Sequence, residues 1–220
     1  MNPVKSTIGI RGLAAPLAAL LLTLLANPVP ALAGVHELQD AWAEIMYQGA
    51  PDAREHALES LAEQARQEIA GHPDDPELLI WRGIIVSTYA GEHGGIGALS
   101  LAKEARDSLE HALEISPTAL DGSAYTSLGS LYYKVPRWPI GFGDKKKARA
   151  LLEKAVSLNP DGIDPNYFYG DFLLEQGEYA KAREYLEKAL AAPPRPGRED
   201  ADQGRRTEVQ QALETARQKS

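Results

Sequence analysis

The feature that most constrains the fold of this 220-residue chain is a spacing that returns three times. Ala105, Leu109, Ala112 and Pro117 stand at steps of 4, 3 and 5. Ala148, Leu152, Ala155 and Pro160 repeat those steps, and Ala182, Leu186, Ala189 and Pro194 repeat them again. Steps of three and four place the alanines and the leucine on one face of a helix. The proline ends that helix because it has no amide hydrogen to donate. Each set is preceded by a glycine inside an apolar helical segment: Gly83, Gly129 and Gly170. An ordinary alanine-rich bundle has no reason to repeat this arrangement. Recurrent helix pairs, crossing closely where glycine meets alanine and leucine, do.

The pattern resembles the tetratricopeptide repeat, a pair of antiparallel helices about 34 residues long. Tyr125-x-x-Leu128-Gly129-x-x-Tyr132 is similar to the family's aromatic-Leu-Gly-aromatic signature. The last unit is less faithful, with Asn166, Tyr169 and Leu173 around Gly170, and the first has Arg82 where an apolar residue is usual. The resemblance spans residues 76–194, read as three repeat units. It implies an all-α fold, a right-handed superhelical stack of antiparallel helix pairs. About four pairs and a C-terminal capping helix are expected, some nine helices in all. It also implies binding rather than catalysis. Upstream, 34–75 reads as a degenerate capping pair: Leu38 to Tyr47, then an amphipathic Asp52 to Ala70 closed by Gly71. Downstream, 195–220 carries a narrow stripe of Ala201, Val209, Ala212, Leu213 and Ala216, suited to sealing the end of the stack.

Residues 1–33 read as a secretory signal peptide. Lys5 and Arg11 are the only charges before His36, Leu13 to Ala26 is apolar, and Ala31-Leu32-Ala33 predicts cleavage before Gly34. Pro16, Asn27, Pro28 and Pro30 leave the apolar helix short for a membrane span, so the expected location is periplasmic without a stable membrane anchor. There is no cysteine to carry a lipid, a disulfide or a thiolate zinc site. Without Lys5 and Arg11, 21 basic residues face 31 acidic ones, a balance that excludes nucleic acid as a partner. Lys145-Lys146-Lys147 and Arg205-Arg206 read as solvated helix faces.

The repeat is broken in two places. Gly170 to Ala182 is 12 residues, but Gly129 to Ala148 is 19 and Gly83 to Ala105 is 22. The additions are expected to form loops, side by side at one end of neighbouring hairpins. One includes His93 within Tyr89 to Ala98, and the other Trp138 and Phe142 within Lys134 to Asp144. These three residues are the candidate loop ligands. Asp144 reads as the N-cap of the helix that follows. The stretch Pro136 to Ala148, with Gly141-Phe142-Gly143-Asp144, also resembles a turn of the periplasmic T component associated with TRAP-type solute transporters, which implies a solute-binding accessory role as the alternative.

No catalytic constellation is present. The five histidines lack His-x-x-x-His spacing, Gly94-Gly95-x-Gly97 is followed by no phosphate-binding lysine, and there is no nucleophile elbow. No metal or cofactor is expected. In a repeat stack the first helix of each pair lines the concave face. This predicts Ile80, Ile84 and Ser87, then Thr126, Ser130 and Tyr133, then Tyr167, Asp171 and Leu174 as the partner-binding surface. It mixes apolar anchors with hydroxyls and includes no cluster of lysine and arginine to clamp a carboxylate. Protein or peptide is the expected partner, with a small solute as the other option.

Overall fold

A computed structural model describes residues 34–219; the predicted signal segment lies outside the described residues. Nine α-helices follow one another among them. They are α1 (Val35–Tyr47), α2 (Arg54–Gly71), α3 (Pro76–His93), α4 (Gly95–Ile115), α5 (Ser123–Lys134), α6 (Lys145–Leu158), α7 (Ile163–Glu175), α8 (Tyr179–Ala191) and α9 (Glu199–Gln218). Helices α3/α4, α5/α6 and α7/α8 form the three hairpins, stacked in chain order.

The crossings explain the spacing. A Cβ on Gly83 would lie 2.5 Å from Leu109, one on Gly129 2.6 Å from Leu152, and one on Gly170 2.7 Å from Leu186. The leucine of each second helix therefore fills the place where a side chain of the first would stand. Ala105, Leu109, Ala112, Ala148, Leu152, Ala155, Ala182, Leu186 and Ala189 are all fully buried. Each second helix stops just ahead of its proline, at Ile115, Leu158 and Ala191. Arg82 is accommodated because its guanidinium reaches Glu104 at 2.8 Å, a carboxylate it shares with Arg66 of α2.

The first of the two additions is not the expected loop. Helix α3 runs ten residues past Gly83, whereas α5 and α7 stop five past their glycines, and α4 starts ten residues ahead of Ala105. The extra sequence thus lengthens both helices of the hairpin. Gly94 and Gly95, with φ 62° and 60°, break them, a conformation that glycine adopts without steric cost. The second addition is a true loop. Gly143 N donates to Pro136 O at 2.9 Å and Asp144 N to Tyr132 O at 2.8 Å, which pins its base to the end of α5. Asp144 then accepts from Lys146 N and Lys147 N at 2.8 and 3.1 Å, the N-cap its position implied.

Between α4 and α5 the chain makes a turn in which Leu120, Asp121 and Gly122 are all left-handed, with φ 46°, 54° and 79°. For leucine and aspartate this costs about 1–2 kcal/mol each. Gly122 also sits where a Cβ would come 2.7 Å from Leu158.

The two ends of the stack behave differently from simple caps. Helix α9 packs on α8 and α7, as a seal should, but it also meets α1. Tyr47 at the end of α1 lies against Gly204, where a Cβ would stand 2.2 Å from the tyrosine ring. The stack therefore closes on itself across its concave side.

Candidate functional site

Where α1 meets α9 the stack surrounds a cavity of about 550 Å³ that stays partly open to solvent. Its wall comes from the first helix of each hairpin, as the repeat geometry requires, and from α1, α9 and the turn ahead of α9. The size falls within the range of small-molecule sites. Leu120 and Asp121, the two strained residues, stand in this wall.

Aromatic packing forms one side. Trp42 meets Trp81 edge-on at 6.1 Å and Tyr47 at 5.7 Å, and its Nε1 donates to Thr88 Oγ1 at 3.1 Å. Trp81 is 5% exposed, and its Nε1 is buried with no acceptor among the described residues. A buried N–H left in that state costs about 1–3 kcal/mol.

Four cations face two carboxylates around the cavity: Lys134, Arg195, Arg198 and Arg205 against Asp121 and Asp164. Three of the cations are neutralised locally. Lys134 Nζ pairs with Asp171 at 2.9 Å and also with Glu175. Arg195 donates to Asp164 and Asp202 at 2.7 Å. Arg205 donates to Asp164 at 2.8 Å and to Glu208, with its guanidinium over Tyr167 and Phe168 at 4.6 and 4.7 Å. Arg198 differs. Its guanidinium lies 5.0 Å from the centre of the Trp81 ring and reaches no carboxylate among the described residues. Burial and the neighbouring Arg195 press its pKa downward, against the weaker pull of Asp164, Asp202 and Asp40, none of which it contacts.

Asp164 shows the opposite balance. Burial pushes its carboxyl upward, but Arg205 and Arg195 outweigh that and hold it at about 2. Tyr167, partly buried beside Glu208, is pushed up to about 12.

The predicted partner-binding residues divide. Ile84, Thr126 and Ser130 line the cavity, together with Ser87. Ile80 does not: it is fully buried in the core and offers nothing to a partner. Tyr133 is 6% exposed and donates its hydroxyl to Asp171 Oδ2 at 2.7 Å, so both are spent on joining α5 to α7. Tyr167 lies under Arg205, and Leu174 packs against the core. The displacement has one cause. Neighbouring hairpins and α9 lie closer to the first helices than an open groove allows, so positions one turn from the cavity are covered.

The loop candidates divide as well. His93 Nδ1 sits 2.8 Å from Glu55 of α2, and its ring lies 5.5 Å from Tyr89, which ties it to the outer wall of the stack. Phe142 packs edge-on against Tyr132 at 5.4 Å under the guanidinium of Arg106. Trp138 is 85% exposed, and Ile140 beside it 71%. The additions do lie together: a Cβ on Gly141 would come 3.3 Å from Leu99 of α4. Ile96, one turn earlier on α4, is 99% exposed.

Sequence reasoning missed Trp42, Trp81, Arg195 and Arg198, and read Arg205-Arg206 as solvated. Arg205 is buried, and Arg206 Nη2 donates to Ala192 O at 2.7 Å, capping the end of α8. The predicted groove positions hold no lysine or arginine; the three arginines of the cavity wall come from α9 and the turn ahead of it. The available signal was Arg195-Pro196-Gly197-Arg198, two arginines in a turn leading into the last helix. Among the described residues no three His, Asp or Glu side chains gather to hold a metal ion, and no helix is long and apolar enough to cross a membrane.

Comparison with known proteins agrees with this architecture. Residues 140–198 match the family model described as tetratricopeptide repeat. Among solved structures, the thermophilic TPR protein TTC0263 of Thermus thermophilus is 19% identical. The alignment covers 84% of this chain and 88% of that one, with a TM-score of 0.56, a likeness of fold. MamA from Desulfovibrio magneticus aligns at 16% identity over 86% of this chain and 96% of its own, with a TM-score of 0.44. No curated protein matches the sequence. The match identifies a tetratricopeptide repeat over residues 140–198, and the glycine–leucine crossing found there recurs with one geometry in all three hairpins.

Proposed function

We propose that the protein is an exported, non-catalytic scaffold that engages protein partners in the bacterial periplasm. The observation that carries this reading is the exposed loop tip. Trp138 and Ile140 stand in water on a loop whose base is bonded to α5 and whose Phe142 is anchored beneath Arg106. Burying a side chain of this size contributes on the order of 1.5–3 kcal/mol, so an apolar tip on an ordered loop favours association. Export rests on the charge, length and cleavage pattern of residues 1–33. The test is affinity purification from periplasmic extract with the wild type and with Trp138→Ala/Ile140→Ser. Loss of specific partners from the variant supports the loop as the contact; identical partner sets remove it.

The cavity favours a second reading, a solute-binding accessory component of a transport system. A volume of about 550 Å³ walled by helices suits a small molecule better than an extended chain. Thermal-shift screening of metabolites tests it, because a ligand bound only by the folded form raises the melting temperature. Shifts that persist unchanged when Ile84→Trp fills the cavity would place the ligand elsewhere.

A further inference from the structure

The cavity wall contains an ionic imbalance that the surrounding fold does not correct. Asp164 is shared by Arg195 and Arg205, and Asp202 and Glu208 complete their pairing. Lys134 is held by Asp171 and Glu175. Arg198 alone among the four lining cations contacts no carboxylate among the described residues, although Asp164 is close enough to satisfy both of its neighbours. Its planar guanidinium lies over the indole of Trp81, and the buried Nε1 of that same ring lacks an acceptor. Two unused donors, one charged and one neutral, therefore belong to a single stacked pair at the wall of one cavity.

We propose that the cavity binds a small organic monocarboxylate, with Arg198 as its anchor and Trp81 as its platform. A guanidinium presents paired N–H donors that match the two oxygens of a carboxylate, and a charge-assisted bond of this type is the stronger kind. One negative charge neutralises the one unpaired cation, so a monoanion is the better match than a dianion. Ile84, Leu131 and Phe168 give the body of the ligand an apolar surface, and Ser127 and Ser130 add hydroxyls opposite. A polypeptide end carries the same carboxylate, but a volume of about 550 Å³ suits a small molecule better, and the free-acid peptide in the test below separates the two. This assignment rests on the solute reading above and names its ligand class and anchoring residue.

The experiment is isothermal titration calorimetry of the mature protein. The ligands are straight-chain monocarboxylates from butyrate to decanoate and 3-phenylpropionate, each paired with its neutral amide. A peptide is included in free-acid and amidated forms. The expected result is binding of at least one acid and of no amide. Arg198→Gln should weaken that binding about ten- to a hundredfold, while Arg198→Lys keeps part of it. Trp81→Phe, which retains a ring but removes Nε1, should weaken it less. Equal binding of acid and amide, or unchanged affinity in a folded Arg198→Gln, would end the carboxylate assignment and leave the solute reading standing. Tighter binding of the free-acid peptide than of any small acid would overturn the small-ligand choice. No binding by any acid or amide would overturn both.

Discussion

Arg205 on α9 donates from Nε to Asp164 Oδ1 on α7 at 2.8 Å, across 41 positions of sequence. The carboxylate so held has a folded pKa of about 2, below its ordinary value of 3.8. Its ionised form therefore stabilises the fold fully above about pH 4, and that stability is lost as pH falls through about 2. The contribution is on the order of 2 kcal/mol. Urea titrations between pH 7 and pH 2 should show this loss. Asp164→Asn should destabilise by about 3 kcal/mol at pH 7, since it leaves buried Arg205 with Glu208 alone and Arg195 with Asp202 alone, and should flatten the acid limb.

The repeat glycines give a matched comparison. Gly129→Ala and Gly170→Ala would force a methyl to within 2.6 and 2.7 Å of a leucine, so each should cost about 1–3 kcal/mol in chemical denaturation. Gly91, also inside a helix, has nothing within 4 Å of the place a Cβ would take. Gly91→Ala should stabilise the protein by about 0.5–1 kcal/mol, because alanine loses less freedom in a helix.

The contact between the ends can be opened at one atom. Gly204→Val places bulk where Tyr47 lies, and should detach α1 from α9 without disturbing the three hairpins. Amide hydrogen exchange should show lost protection in α1 and the first turns of α9, with α5 to α8 unchanged. Protection retained in α1 would mean that α2 and α3 hold that helix unaided.

The two aromatic residues of the inserted loop should separate stability from recognition. Phe142→Ala removes packing against Tyr132 and Arg106 and should cost about 1–3 kcal/mol. Trp138→Ala should stay within about 0.5 kcal/mol of the wild type, as exposed positions do.

Much of the fold was legible because its constraint is local. Gly129, Ala148 and Leu152 must meet within one hairpin, so their spacing is written into a short stretch and recurs wherever the hairpin does. The cavity follows another rule. Trp42, Trp81 and Arg198 come from helices far apart in the chain, and no periodicity links them. Arg205 looked solvated because a basic pair on a polar helix usually is; only the approach of α7 buries it. The glycines around His93 suggested a loop, yet helix extension wins there because the two lengthened helices continue to pack on each other and only Gly94 and Gly95 have to leave the helical conformation. Of the expected groove positions, Ile84, Thr126 and Ser130 line the cavity, while Ile80 and Tyr133 are buried, because periodicity cannot say how closely the next helix approaches.

Most solenoids can gain or lose a unit by duplication, since their ends are free. Here Tyr47 rests on Gly204, so a further hairpin would push the first and last helices apart and abolish the enclosure. The number of units is thus tied to that contact: with one hairpin more or fewer, Tyr47 and Gly204 would not meet and the two ends would lose their shared wall.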